Sequence, residues 1–175
     1  MIIRDSDGGR GIEVLMVKRT PRAAFGATAW VFPGGRVDSG DEQWATKVLT
    51  GLSDREASEL LELEHGGLAW WLAAVRETWE EAGLLVGAGN GVELVPRLRA
   101  LLDAQEFVFG ASLQQLLLRL DITAMFEVAR FTTPIGPPRR FDTRFFVAEA
   151  PRGQSVQIDE QEIVEARWIL SLIHI

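Results

Sequence analysis

Apolar residues along this chain recur at two spacings, one typical of strands and one typical of helices. Short apolar or alternating runs bounded by Gly, Pro, Asp or Ser predict strands. These runs occupy residues 1–3, 11–19, 29–35, 124–135, 144–150 and 165–170. Together with the helices below, they predict an α/β fold in which helices pack around a mixed β-sheet.

Helices are predicted between the strands. Ser53 and Glu56 have the spacing of a capping box, which predicts a helix that begins there and ends near Gly66. Apolar spacing predicts one or two further amphipathic helices at residues 92–104 and 112–120.

The helix predicted at residues 68–83 carries three glutamates on one side. At 100° per residue, Glu77, Glu80 and Glu81 share a wedge of about 100°. Like charges at this spacing repel by a few tenths of a kcal/mol per pair, so a compensating group is expected nearby. The opposite side is predicted to be buried; it carries Trp71, Leu72, Val75, Thr78, Trp79 and Ala82. Gly83 can close the helix in the left-handed conformation.

Two interpretations of the glutamate wedge are open. A charged run usually marks a solvated face. However, Ala73 and Ala74 flank the wedge and leave room, and the upstream Pro-Gly-Gly segment could bring backbone N–H groups close. Clustered carboxylates without thiolates suit a hard divalent cation, Mg²⁺ or Mn²⁺.

Composition narrows the class of protein. A chain of 175 residues that is 47% hydrophobic and 25% charged predicts one domain spanning residues 1–175. The net charge of −7 argues against a general nucleic-acid binder. The chain contains no cysteine, which excludes thiolate metal sites and cysteine nucleophiles. No transmembrane span or secretory signal is predicted, so a cytoplasmic location is expected.

Two segments together resemble the signature box of the Nudix hydrolase superfamily. The second half of that box is Arg-Glu-apolar-x-Glu-Glu-x-Gly-apolar, and "RETWEEAGL" begins it at Arg76, with Thr78 where an apolar residue is usual. Gly35 matches the first half, and Asp41 stands where the family has glutamate. Residues 42–75 replace the family's spacer of seven residues.

This long spacer resembles the split box of coenzyme A diphosphatase-like Nudix proteins. The resemblance implies a Nudix-type α/β/α sandwich with a mixed β-sheet, in which residues 42–70 form an extra helical insert within the box, beside the active site. The segments "VFPGG" and "RRFDTRFFVA" are also similar to that branch. Its coenzyme A signature is matched by Arg19 and the FPGG segment, whereas Arg22 has a different spacing.

The resemblance implies a role for each matched residue. Glu77, Glu80 and Glu81 would hold Mg²⁺ or Mn²⁺, with Arg76 orienting them. Glu162 resembles an additional metal-ligating glutamate and is the favoured general base; the alternative is an exposed loop acid.

The expected substrate contacts lie outside the box. They are Arg19, Phe32, Gly34, Gly35, Arg139, Arg140 and Arg144. Arginine binds phosphate through two N–H bonds, and Arg140 and Arg144 would share a face of an extended strand. The alternatives are ion pairs with Asp142 and neighbouring acids for the arginines, and core packing for Phe32.

The implied activity is hydrolysis of the pyrophosphate bond in a nucleoside diphosphate linked to another group, with coenzyme A or acyl-coenzyme A as candidate substrates. The alternatives are an ADP-ribose or nucleotide-sugar pyrophosphatase and a catalytically silent binding or regulatory module. The apolar C-terminal run "WILSLIHI" has three interpretations: a central strand, a strand that pairs with a second chain in a homodimer, or a sequence that is truncated or altered.

Overall fold

A computed structural model describes residues 1–6, 9, 11–22, 26–104, 108–136, 140–158 and 160–171. Its eight strands are β1 (Ile2–Asp5), β2 (Ile12–Arg19), β3 (Trp30–Val31), β4 (Leu49–Thr50), β5 (Leu120–Asp121), β6 (Phe126–Thr132), β7 (Asp142–Glu149) and β8 (Ile163–Leu170). Its α-helices are α1 (Ser39–Val48), α2 (Asp54–Leu61), α3 (Leu68–Ala82), α4 (Val95–Asp103) and α5 (Phe109–Gln115), with a 3₁₀ turn at Gly89–Leu94 before α4. The predicted α/β class is confirmed.

The main sheet is mixed and runs in the order β3-β2-β1-β7-β6, with β8 paired to β2. The β1–β7 pair is parallel and the other pairs are antiparallel. Because β8 pairs along β2 from Glu13 to Arg19, β1 and β3 share the other edge of β2. β4 and β5 form a separate parallel pair. Within the described chain, β8 pairs with β2 alone, so it does not match the central-strand interpretation.

The core lies between α3 and one face of the sheet. Trp71 of α3 packs edge-on against Phe146 of β7 with ring centroids 4.8 Å apart. The predicted buried side of this helix is confirmed, because all six residues proposed for it are buried. Gly83 caps α3 with a φ of 69°, as predicted.

Several predicted boundaries were wrong. The predicted helical insert covers residues 42–70 without separate bounds for α1, which begins earlier, at Ser39, and β3 is only two residues long. α2 ends at Leu61 rather than near Gly66, because Glu62 adopts a left-handed φ of 57°. The carboxylate of Asp54 then accepts hydrogen bonds from the N–H groups of Gly66 and Leu68, both at 3.0 Å, which turns the chain directly into α3.

The helices predicted at residues 92–104 and 112–120 both exist, although α5 begins and ends earlier than the apolar spacing suggested. Strand β7 begins at Asp142, so Arg140 precedes the strand and does not share its face with Arg144 through strand alternation. Over the described residues, no helix combines the length and the apolar character needed to cross a membrane.

Candidate active site on helix α3

The guanidinium of Arg76 lies at the centre of the acidic side of α3. Its Nε and Nη2 donate to the two carboxylate oxygens of Asp41, both at 2.9 Å. Its Nη1 donates to Glu77 at 2.8 Å and to Glu80 at 2.9 Å. Nη2 also donates to the carbonyl oxygen of Arg36 at 2.8 Å. These bonds use all five N–H donors of the arginine, so the side chain is fixed in one orientation.

Arg76 is therefore the compensating group that the crowded glutamates require. The side chain of Arg76 is only 10% exposed and that of Asp41 only 3%. Burial alone would lower the pKa of Arg76, but the hydrogen bond to Asp41 and the charges of Glu77, Asp41 and Glu80 raise it above its ordinary value. The guanidinium remains charged, and removing either partner of this buried pair would leave an uncompensated charge.

The Pro-Gly-Gly loop after β3 closes against the same side of α3. The N–H of Gly34 donates to the Glu81 carboxylate at 2.9 Å. A Cβ on Gly35 would lie 2.4 Å from the carboxylate atoms of Glu77, so glycine is the residue that fits there. The backbone N–H of Arg36 also bonds to Glu77. The expectation that this loop brings backbone N–H groups to the glutamates is confirmed.

Glu81 is the most buried of the three glutamates, at 5% exposure. Burial raises the pKa of Glu81 to about 7, although the hydrogen bond from Gly34 lowers it. The negative charges of Glu77 and Glu162 raise this pKa further, whereas the positive charge of Arg19 lowers it. Arg19 and Glu162 therefore lie close enough to Glu81 for their charges to act on it.

Burial also raises the pKa values of Glu77 and Glu80, and the charge of Arg76 opposes this rise in both. Glu77 is 16% exposed, whereas Glu80 is 49% exposed, so solvent screens Glu80 more strongly. The side of α3 thus offers one buried, one partly buried and one accessible carboxylate.

Strand pairing brings Arg19 and Glu162 together. Arg19 ends β2 opposite Ile163, the first residue of β8. The N–H of Thr20 donates to the carbonyl oxygen of Glu162 at 2.8 Å, while the Glu162 side chain remains exposed. Residues that are more than 140 positions apart in sequence therefore meet beside the carboxylates of α3.

The predicted arginines after β6 lie in other surroundings. The Arg144 side chain is 3% exposed and donates to Glu127 at 2.7 Å and to the carbonyl oxygen of Leu61 at 2.6 Å. Its guanidinium also lies over the ring of Trp70, at 5.2 Å. These contacts match the ion-pair alternative, although the partner is Glu127, whereas Asp142 pairs with Arg130.

Arg140 is exposed, and its Nε donates to the carbonyl oxygen of Thr133 at 3.1 Å. Arg139 lies outside the described residues. Phe32 is half-buried, with its ring edge-on to that of Phe145 at 6.2 Å. The roles of these residues in substrate binding stay predictions.

Sequence reasoning did not foresee how Asp41 is used. Asp41 is the third residue of α1, and its carboxylate accepts a hydrogen bond from the N–H of Asp38 at 2.8 Å while it binds Arg76. The signal was the Asp-x-x-Asp spacing at 38–41, which is weaker than the usual capping box because aspartate replaces glutamate or glutamine. The use of the Arg36 carbonyl by Arg76 left no signal in the sequence.

The donor chemistry of the site suits a hard divalent cation, since carboxylates and nearby backbone carbonyls are oxygen ligands. Among the described residues, no three His, Cys, Asp or Glu side chains converge closely enough to hold a metal ion. The three glutamates do not converge because their carboxylates accept hydrogen bonds from different donors. Glu77 and Glu80 accept from Arg76, whereas Glu81 accepts from the N–H of Gly34.

Curated relatives resemble this chain over most of its length. Acyl-coenzyme A diphosphatase NUDT19 of Gallus gallus is 30% identical over 89% of this chain and 53% of the relative. The protein of the same name from Xenopus laevis is 24% identical over 89% of this chain and 52% of the relative. The chain thus spans about half the length of the curated relatives it matches. No protein-family model matches the sequence.

A solved structure agrees with the fold described above. The crystal structure of a NUDIX hydrolase from Alicyclobacillus acidocaldarius superimposes with a TM-score of 0.73 at 29% sequence identity, covering 97% of this chain and 75% of that chain. This likeness extends across the mixed sheet and the helix that carries the Arg76 cluster. The fold, the curated relatives and the arginine–glutamate box together place this chain in the Nudix hydrolase superfamily.

Proposed function

We propose that this chain is a divalent-metal-dependent pyrophosphohydrolase that cleaves a nucleoside diphosphate linked to a second group. The observation that carries the proposal is the saturated Arg76, which holds Asp41, Glu77, Glu80 and the loop carbonyl of Arg36 in one network. A surface that needed only solubility would not require a buried arginine with five bonds. Hydrolysis of this type depends on positioning and charge neutralisation more than on a covalent nucleophile.

Mg²⁺ or Mn²⁺ fits this site by the chemistry of its donors. Glu77, Glu80 and Glu81 would hold the ion, with Glu162 as a further ligand. When bound, such an ion neutralises phosphate charge and activates water. The close approach of Gly35 to Glu77 supports the proposal, because a side chain there would displace a ligand.

The residues of the chain have distinct tasks in this proposal. Arg76 orients Glu77 and Glu80, and the N–H of Gly34 orients Glu81. Glu162 accepts the proton of the attacking water; its exposed side chain and its proximity to Glu81 support that role. Arg19, which acts electrostatically on Glu81, faces the incoming diphosphate.

Coenzyme A or acyl-coenzyme A is the proposed substrate class. Two curated relatives bear the name acyl-coenzyme A diphosphatase, which supports this choice, as does the long spacer within the box. ADP-ribose or a nucleotide sugar would use the same chemistry at α3 and differ only in the group that is recognised. Because the spacing of Arg22 differs from that of the coenzyme A signature, ADP-ribose and nucleotide sugars are also candidate substrates.

The competing proposal is a silent binding or regulatory module with the same fold. Such a module would have no need for all three glutamates of the box together with Arg76. This chain retains them, and it buries the Glu81 carboxylate next to the Gly34 loop. The observation therefore favours the enzyme.

Hydrolysis assays test the proposal. The purified protein is incubated with Mg²⁺ or Mn²⁺ and with coenzyme A, acyl-coenzyme A, ADP-ribose, NADH or a nucleoside triphosphate. Glu80→Gln and Glu81→Gln are expected to lower turnover at least 100-fold, whereas the exposed control Glu64→Gln is expected to match the wild type. Cleavage of ADP-ribose alone would retain the enzyme class and discard coenzyme A. A folded, Mg²⁺-binding protein that cleaves nothing would favour the silent module.

A separate variant tests the general base. Glu162→Gln is expected to reduce kcat strongly and to change the pH–rate profile, with Mn²⁺ affinity measured in parallel. Loss of Mn²⁺ affinity with an unchanged pH profile would leave Glu162 as a metal ligand only. A variant equal to the wild type in both measurements would return Glu162 to an exposed loop acid.

A further inference from the structure

Three phenylalanine rings form a row on the face of the sheet that points away from α3. Phe146 packs on Trp71 of α3, so Phe145, the preceding residue of β7, points to the opposite face. There the ring of Phe145 contacts Phe32 on one side at 6.2 Å and Phe131 on the other at 5.9 Å. Phe32, Phe145 and Phe131 are called the aromatic row below.

One end of the aromatic row adjoins the proposed active site. Phe32 is followed by Pro33 and then by Gly34, whose N–H binds Glu81. The loop that positions the carboxylates therefore continues directly from the first ring. The loop thus joins the face that carries the aromatic row to the carboxylates of α3.

The other end of the aromatic row is open. Phe131 is 69% exposed although it lies within strand β6. Both ring pairs are edge-to-face, with interplanar angles of 86° and 87°, so Phe145 does not stack face to face on the exposed Phe131 ring. A well-supported exposed ring at the end of such a row is a platform for a planar group.

Positive charge lies beside this open end. The N–H of Thr133, two residues after Phe131, donates to the carbonyl oxygen of Phe141, and the Thr133 hydroxyl oxygen accepts from the N–H of Phe141. The carbonyl oxygen of Thr133 accepts from the Nε of Arg140 at 3.1 Å. Arg140 is exposed, so its charge faces solvent next to the row. An aromatic face next to an arginine matches a planar nucleobase better than it matches a purely apolar chain.

We propose that the aromatic row is the base-binding platform of the substrate site, with the nucleobase of a nucleoside diphosphate stacked on Phe131. This inference rests on the proposed function for the position of the diphosphate. It adds two residues, Phe145 and Phe131, to the contacts expected from sequence, and it gives Phe32 the role of connecting the platform to the glycine loop.

Binding of ADP and of inorganic pyrophosphate, each with Mg²⁺, tests the platform by calorimetry. Phe131→Ala is expected to weaken ADP binding about tenfold, which equals ~1.4 kcal/mol and lies within the range for base–aromatic stacking. Pyrophosphate, which has no base, is expected to bind equally to both proteins. Phe131→Trp is expected to retain ADP affinity.

Two further variants separate stacking from other effects. Phe126→Ala removes a phenylalanine of similar exposure, 59%, from the other end of β6 and is expected to leave ADP affinity unchanged. Phe131→Leu keeps an apolar side chain without a ring, so full ADP affinity in this variant would overturn the stacked base and indicate an apolar group. Equal melting temperatures would show that the variants remain folded.

The outcomes for the platform and for the enzyme are distinguishable. If the wild type cleaves a substrate of the panel but Phe131→Ala binds ADP normally, the platform is wrong and the proposed function stands. If ADP binding depends on Phe131 but nothing is cleaved, the platform stands and the enzyme proposal fails. A wild type that binds pyrophosphate but not ADP would also overturn the platform.

Discussion

Replacing Gly35 with alanine tests whether the glycine loop sets the position of a catalytic carboxylate. The φ of Gly35 lies outside the left-handed region, so alanine can adopt the backbone conformation without strain. The added Cβ would nevertheless lie 2.4 Å from Cδ and both carboxylate oxygens of Glu77. The substitution therefore acts on Glu77 and leaves the backbone of the loop in place.

The size of the effect follows from the contacts of Glu77. Non-bonded carbon atoms prefer separations of about 3.5–4.0 Å, so the carboxylate must withdraw by roughly 1 Å. That movement breaks its hydrogen bonds with Nη1 of Arg76, at 2.8 Å, and with the N–H of Arg36. A misplacement of about 1 Å costs on the order of 100-fold in rate, so kcat/KM is expected to fall by about that factor.

Stability is expected to change much less than activity. Gly-to-Ala at a compatible position restricts the unfolded chain and stabilises by about 0.4–1 kcal/mol. Lost hydrogen bonds to a charged group cost about 1.5–3 kcal/mol. Moving Glu77 toward solvent relieves the burial that raises its pKa, which offsets part of this cost. The net change in the free energy of unfolding should stay within about 2 kcal/mol.

The assay compares kcat/KM and Mn²⁺ affinity for the wild type and for Gly35→Ala. Gly40→Ala is the matched control, because a Cβ at Gly40 in α1 meets nothing within 4 Å and alanine favours the helix. In a Glu77→Ala background, Gly35→Ala should have no further effect on Mn²⁺ affinity. Activity of the single variant within threefold of the wild type would show that Gly35 does not set the position of Glu77.

Three more predictions concern the charged groups. Arg76→Lys replaces five fixed N–H donors with three. The free energy of unfolding, measured in urea, should fall by about 3 kcal/mol or more, and a fall below about 1 kcal/mol would contradict the network around Arg76. In chelator, the raised pKa of Glu81 contributes stability that is present below its ordinary pKa of 4.5 and is lost as the pH rises through about 7. This loss amounts to about 3 kcal/mol in the free energy of unfolding. Unfolding measured from pH 5 to 8 should show this pH dependence in the wild type and not in Glu81→Gln; equal pH slopes in the two proteins would contradict the prediction. Arg144→Ala leaves Glu127 unpaired, so stability should fall by about 3 kcal/mol while KM stays within twofold; a large rise in KM without destabilisation would assign Arg144 to substrate binding.

The fold could be predicted where the signal is local. The capping box at Ser53 and the apolar side of α3 are both set by residues within a few positions of each other, so their spacing alone was sufficient. Alternating apolar runs predicted the strands of the mixed sheet. Strand β3 has only two residues, because the chain after it leaves the sheet and reaches α3 through Gly34. No separate bounds were predicted for helix α1, because Asp41 stands where a capping box usually has glutamate or glutamine.

Helical spacing alone places three carboxylates and an arginine on one side of a helix, whatever surrounds them. The way these groups are held depends on contacts between distant parts of the chain. Arg76 binds Asp41 across 35 residues, and Gly34 binds Glu81 across 47. The same packing enclosed Arg144 beside Glu127 and left Phe131 open to solvent. Such contacts depend on how helices and strands pack against each other, and the spacing of residues along one element carries no record of that packing.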